Sequence, residues 1–294
     1  MPLPLAAALD AGPVLLDGGL ATELEARGHD LSSALWSARL LRDDPSAVRA
    51  AHAAFAAAGA QVVTTASYQA TPELVARSVA LAREGAPEAW IAGSIGPYGA
   101  ALADGSEYTG GYAAELSVRE LRRFHRPRMA LLAEAGADVL ALETVPAAAE
   151  AEALLAEAAD LGVPVWLSLT TVVDDAGTVR TRRGEPAAPV FAMAADVPEV
   201  VAVGVNCTDP RGVLPAVRAA ATAGQPVVVY PNSGEDWDAA ARRWTGSGTF
   251  DAADVRAWAD AGARLIGGCC RVGPPQIAAL STTLRGFSPS STRA

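Results

Sequence analysis

Apolar residues in this chain gather in eight short runs rich in Val, Ile and Leu, with Ala-rich stretches of helical periodicity between them. The runs are 14–19, 61–68, 90–96, 138–144, 164–170, 201–207, 226–232 and 264–270. Continuous apolar runs of this length, rather than alternating ones, predict parallel strands buried on both faces. The stretches 46–58, 147–160, 210–222 and 252–261 predict the covering helices by propensity and spacing. A small repeat, "AAGAQVV", "EAGADVL" and "DAGARLI", reads three times as helix end, glycine cap and entry into a strand. Eight such units with no linker-like interruption point to one closed (β/α)8 barrel, a TIM barrel, over residues 1–287. The segment 288–294, "SPSSTRA", reads as a disordered tail. An open doubly wound sheet is the competing architecture, but "DGGLATELEARG" after the first run is not the G-x-G-x-x-G turn it would bring.

Composition narrows the function classes. Of 294 residues, 51% are hydrophobic and 19% charged, and no apolar stretch approaches the roughly 20 residues a membrane span needs. The first twelve residues are apolar but lack a basic flank, so no signal peptide is expected. Three cysteines are too few for a disulfide scaffold, which favours a reducing, cytoplasmic setting with free thiols or a metal. A net charge of −10 argues against nucleic acid, and the arginines of 119–128 read as the solvated face of a helix. Oligomeric state is open between monomer and dimer.

In a barrel of this kind the chemistry stands at the C-terminal ends of the strands. Those ends are polar here: Asp17, Thr65 and Ser67, Ser94, Glu143 and Thr144, Ser168 and Thr170, Asn206 and Cys207, Tyr230 and Asn232, Cys269 and Cys270. The loop 97–112 after the third strand is the longest irregular stretch and reads as functional. All three cysteines fall on strands six and eight, whose equal parity sends side chains to the same interior layers. Two strand spacings, about 9–10 Å, are within reach of sulfurs that bind a metal at about 2.3 Å. Adjacent Cys269 and Cys270 could share an ion only if the chain turns there, a turn that Gly267 and Gly268 would permit. Other readings stand beside this one: free cysteines as small core residues, or glycines marking a phosphate site after strand eight.

Three thiolates and an open fourth position match a catalytic zinc. Such an electron-rich Zn2+ suits a soft fourth ligand, and a coordinated thiol is deprotonated at neutral pH without a histidine base. His29, His52 and His125 lie away from the strand ends and read as packing or solvent-facing residues. A zinc hydrolase on the same barrel, or a non-catalytic zinc staple between strands six and eight, are the alternatives.

The segments 15–28, 35–38, 65–72, 92–110, 124–128, 204–207, 228–235 and 262–271, among them "TASYQATP", "GVNC", "VVYPNSGE" and "GARLIGGCCR", closely resemble the homocysteine S-methyltransferases. The likeness covers about residues 13–281 and is nearest to the bacterial and plant enzymes that use S-methylmethionine or S-adenosylmethionine. It implies a (β/α)8 barrel, zinc on Cys207, Cys269 and Cys270, and homocysteine bound through sulfur as the fourth ligand. It further implies Glu143 and Asp17 as carboxylates for the homocysteine ammonium, with donors near Gly18, Gly19 and Ser67 for its carboxylate. Asn206 is included among the substrate-binding residues, and Tyr68 or Tyr98 is expected to face the sulfonium. Asp17 could instead cap the helix starting near Leu20. Relatives usually carry a longer segment after "YQATP"; here 73–85 follows at once, shortening a loop that overhangs the barrel mouth.

Overall fold

The computed structural model describes residues 4–31, 36–159, 161–238, 243–285 and 287. Each apolar run becomes a strand: β1 Val14–Leu15, β2 Val62–Thr64, β3 Trp90–Ile95, β4 Val139–Val145, β5 Val165–Leu169, β6 Val200–Asn206, β7 Val227–Tyr230 and β8 Ala263–Ile266. Neighbours pair in parallel throughout, β1 with β8 at one end of the order and β2 with β3 at the other. A parallel bridge between Leu16 and Val62 joins β1 to β2 and closes the ring. The architecture is therefore the single (β/α)8 barrel, not the open sheet. The expected tail at 288–294 lies outside the described residues.

Strand faces alternate with period two, and the barrel shows it. Val14, Leu16, Val62, Ala92, Val139, Ala141, Trp166, Ala202, Val228 and Leu265 fill the interior, while the other faces pack against the helices in a second, larger core. One alternation further along the strands the interior turns polar: Ala92 is followed by Ser94, Ala141 by Glu143, Trp166 by Ser168, and Val228 by Tyr230. The apolar N-terminus forms a helix, Leu5–Ala11, whose Leu5 and Leu9 join the interior cluster from the N-terminal ends of the strands. The predicted glycine caps are real: Gly59, Gly136 and Gly262 have φ of 105°, 86° and 117°, the left-handed conformation that ends a helix.

Two features depart from the sequence reading, the rim hairpins and the order within the loop after the third strand. Two antiparallel hairpins sit on the barrel rim, Thr171–Val173 with Val179–Thr181 and Asp236–Asp238 with Arg243–Thr245. The loop 97–112 is not irregular but holds a helix, Tyr98–Leu102, and 3-10 turns at Ser106–Tyr108 and Gly111–Ala114. The helix Pro72–Gly85 starts directly after Thr71. Among the described residues no helix is long and apolar enough to cross a membrane.

Candidate metal and substrate site

The polar strand ends meet at one mouth. Cys207, at the end of β6, lies with its Sγ 2.7 Å from that of Cys269 beyond β8, and all three cysteine sulfurs fall within 4.8 Å of one another. Strand alternation alone would send Cys207 to the opposite face from Asn206. Its left-handed backbone, φ 46°, breaks that alternation and turns the thiol inward. Thr144 at the end of β4 is left-handed too, φ 60°. Non-glycine residues in this region cost of order 1–3 kcal/mol and persist only where the surroundings hold them.

Asn206 is what holds them. Its Oδ1 accepts from Thr144 N at 2.7 Å and Ser168 Oγ at 2.9 Å, and its Nδ2 donates to Thr144 Oγ1 at 2.8 Å. Fully buried and hydrogen-bonded to these partners, Asn206 positions Thr144 and Cys207. Thr144 Oγ1 in turn lies 3.8 Å from the Cys207 sulfur.

Gly267 and Gly268 do not serve through left-handed backbone, since the left-handed residue of this turn is Arg271, φ 66°. They serve by close packing: a Cβ at Gly267 would lie 2.5 Å from the Asp17 carbonyl oxygen, and one at Gly268 would overlap Val272. Gly18 and Gly19 act likewise, a Cβ at Gly19 falling 2.6 Å from the Cys269 carbonyl oxygen. The Gly19 N–H donates to Val272 O at 2.9 Å, so it is not available to a substrate carboxylate. The four glycines press the end of β1 against the cysteine turn.

Two carboxylates stand beside the thiols. Glu143 accepts from Ser94 Oγ at 2.5 Å and Tyr230 OH at 3.0 Å, and Trp166 Nε1 donates to that same Tyr230 hydroxyl. Asp17 accepts from Thr64 N at 2.7 Å and Thr64 Oγ1 at 3.0 Å; it does not cap the helix Leu20–Ala26. Burial lifts Asp17 to about 8 and Glu143 to about 7, and their mutual repulsion adds to the rise at Asp17. Hydrogen bonds from the neighbouring thiols, and from Tyr108, pull the Cys270 thiol well below its ordinary value, while Cys269 rises. Cys207 rises as well, so the negative charge of the ligand-free trio gathers on Cys270.

The aromatic residues divide. Tyr68 rests against Gly96, where a Cβ would meet its ring at 2.7 Å, and burial, with the Cys207 thiol adding to it, raises its hydroxyl far above the usual range. Tyr108 reaches Cys270. Tyr98 is turned away: its ring packs on Tyr112 and Phe124 at centroid distances of 5.3 and 4.9 Å in a satellite core, so it does not face the thiols.

Sequence reasoning missed two features. Arg128 is not on the solvated face but partly buried, donating from Nη2 to the carbonyls of Ser67 at 3.0 Å and Tyr68 at 2.9 Å. Because a trans peptide holds N–H opposite C=O, the amides of Tyr68 and Gln69 point away from Arg128. The Ser67 hydroxyl donates to Ser94 O at 2.7 Å and is likewise taken. Glu150, fully buried in the helix Ala148–Ala158, accepts from Tyr98 N, Tyr112 OH and His125 Nε2, and anchors the rim loop. An i,i+3 neighbour pattern on a single helix cannot reveal partners so distant in the chain.

A family model described as homocysteine S-methyltransferase matches residues 14–284. The homocysteine S-methyltransferase of Escherichia coli is 44% identical over 94% of this chain and 97% of its own, and that of Bacillus subtilis 39% identical over 97% and 98%. The crystal structure of the metallated homocysteine methyltransferase MmuM from Escherichia coli superposes with a TM-score of 0.83 at 41% identity, covering 97% of this chain and all of that one.

Proposed function

This chain belongs to the homocysteine S-methyltransferase family, and from that premise we propose that it uses zinc on Cys207, Cys269 and Cys270 to methylate the homocysteine thiol from S-methylmethionine or S-adenosylmethionine. The observation that carries the reading is the convergence of three thiols, from strand ends 62 residues apart, within 4.8 Å. The donor set fits the ion: three sulfurs with no competing imidazole, since His52 and His125 are buried behind the strands. When bound, zinc would stabilise a substrate thiolate at neutral pH.

The chain's own residues supply the rest. Asp17 and Glu143 would grip the homocysteine ammonium, whose positive charge restores both carboxylates to the ionised state that burial opposes. Amides of Gly18 and Gln69 are the donors for its carboxylate, the Gly19 amide and the Ser67 hydroxyl being held within the fold. Tyr68 and Tyr108 present aromatic surface to the sulfonium cation. Transfer is a displacement at the methyl carbon: the C–S bond to homocysteine forms as the donor's C–S bond breaks and its electron pair returns to sulfur, leaving a neutral thioether. Holding the three atoms in line is the main demand on the protein.

The wild-type protein purified with zinc should carry bound metal and form methionine from homocysteine and S-methylmethionine. Absence of both would reject the proposal. A zinc hydrolase would need a nitrogen or carboxylate donor set, which these thiols do not resemble. A structural staple is separated by Cys207→Ala: the site proposed here loses zinc and activity while the barrel stays folded, whereas a staple loses fold stability.

A further inference from the structure

The 3-10 turn Ser106–Tyr108 carries Tyr108, whose hydroxyl reaches the Cys270 thiol, and beside it an acidic residue with no assigned task. Its position is fixed from several sides. A Cβ at Gly99 would overlap the Glu107 amide, Arg182 Nε donates to Tyr108 O at 2.8 Å, and Asp104 Oδ1 accepts from Ser106 N at 2.9 Å. Arg182 follows the strand Val179–Thr181 of a rim hairpin, so the turn is braced from a second loop.

Within this frame Glu107 Oε2 is shielded from solvent and has no hydrogen-bond partner. A buried carboxylate oxygen in that condition is costly and calls for a donor. Burial raises Glu107 above the ordinary glutamate value, and the charge of Asp104 and then that of the Cys270 thiol add to the rise, so the group lies within electrostatic reach of the sulfurs. It acts on the hydroxyl of Tyr68 as well. The acidic groups at the mouth stand on different elements, Asp17 and Glu143 at the ends of β1 and β4 and Glu107 in the turn that follows β3, and the Tyr68 hydroxyl lies within the field of both glutamates.

Two amino-acid substrates meet here under the function proposed above, on which this inference rests. Homocysteine takes Asp17 and Glu143. The methyl donor brings two cations: a sulfonium, which has no N–H and suits an aromatic face, and an α-ammonium, which has three donors. An unpartnered carboxylate oxygen matches the second and not the first. We infer that Glu107 binds the α-ammonium of the methyl donor and thereby selects sulfonium compounds that are amino acids.

The test compares wild type, Glu107→Gln, Glu107→Asp and the exposed control Glu115→Gln, all zinc-loaded. Initial rates are measured with homocysteine and either S-methylmethionine or 3-(dimethylsulfonio)propanoate, which lacks the amino group. S-methylmethionine binding alone is followed by titration calorimetry. Loss of a charge-assisted hydrogen bond should raise KM and Kd for S-methylmethionine at least about tenfold in Glu107→Gln. The homocysteine KM and the rate with the amino-free sulfonium should move less than about twofold, and Glu107→Asp should recover part of the loss. Equal losses with both sulfoniums, an altered homocysteine KM, or unchanged S-methylmethionine binding would overturn the inference. Should wild type bind S-methylmethionine through Glu107 yet form no methionine, the transfer reaction falls and the binding role stands. No binding to wild type would remove both.

Discussion

Glu143 and Asp17 make the site's stability depend on pH. Their folded pKa values, about 7 and about 8, lie above the ordinary 4.5 and 3.8, so the folded state holds more protons than the unfolded one. Their contribution is fully present below the ordinary values and is lost as pH rises through 7 and 8. The ligand-free protein should therefore lose thermal stability from pH 5 to pH 8.5, and Glu143→Gln should flatten that slope, as calorimetric melts across this range will show. The same substitution should raise the homocysteine KM by about tenfold or more, because an ionic hydrogen bond is replaced by a neutral one. Steady-state kinetics checks this. At this scale the sequence announced the polar strand ends but not their partners. Nothing local marks Asn206 as a clamp or Gly19 as a spacer, since Thr144 and Cys269 reach them only through the closed barrel.

The terminus of β6 is the element on which the thiol geometry turns. Asn206→Ala would leave Thr144 N and the Ser168 hydroxyl without their acceptor, at a cost of about 1–3 kcal/mol. It would also release the left-handed residues Thr144 and Cys207, so zinc affinity should fall about 10–100-fold. Urea unfolding and chelator competition measure the two effects separately. The eight strands were legible because each is buried on both faces, which leaves an unbroken apolar run in the sequence. The rim hairpins were not: Val172 and Val173 are exposed, and three-residue strands on a barrel edge carry no periodic burial to read. Arg128 escaped for a related reason, since helical spacing says which face it occupies but not that a loop from another unit covers it.

At the scale of the whole molecule the barrel separates stability from chemistry by its two ends. The helix Leu5–Ala11 stops the N-terminal end with Leu5 and Leu9, while every residue assigned to the reaction stands at the other. Leu9→Ala should cost about 2–5 kcal/mol in unfolding free energy and leave zinc content and kcat/KM unchanged, which denaturation and rate assays on one preparation can decide. The fold was legible from the count of the strands, and the nearness of residues 207, 269 and 270 from their places at strand ends of equal parity, but the inward turn of Cys207 was not, because it depends on a left-handed backbone that reverses the strand alternation. The central claim is that these sulfurs hold a zinc whose remaining position takes the substrate thiol. Zinc-edge X-ray absorption of the loaded protein, without and with homocysteine, tests it most directly. The account predicts three sulfurs at about 2.3 Å with one lighter neighbour, changing to four sulfurs when homocysteine is added. A first shell that contains nitrogen from histidine, or one that homocysteine leaves unaltered, would contradict it.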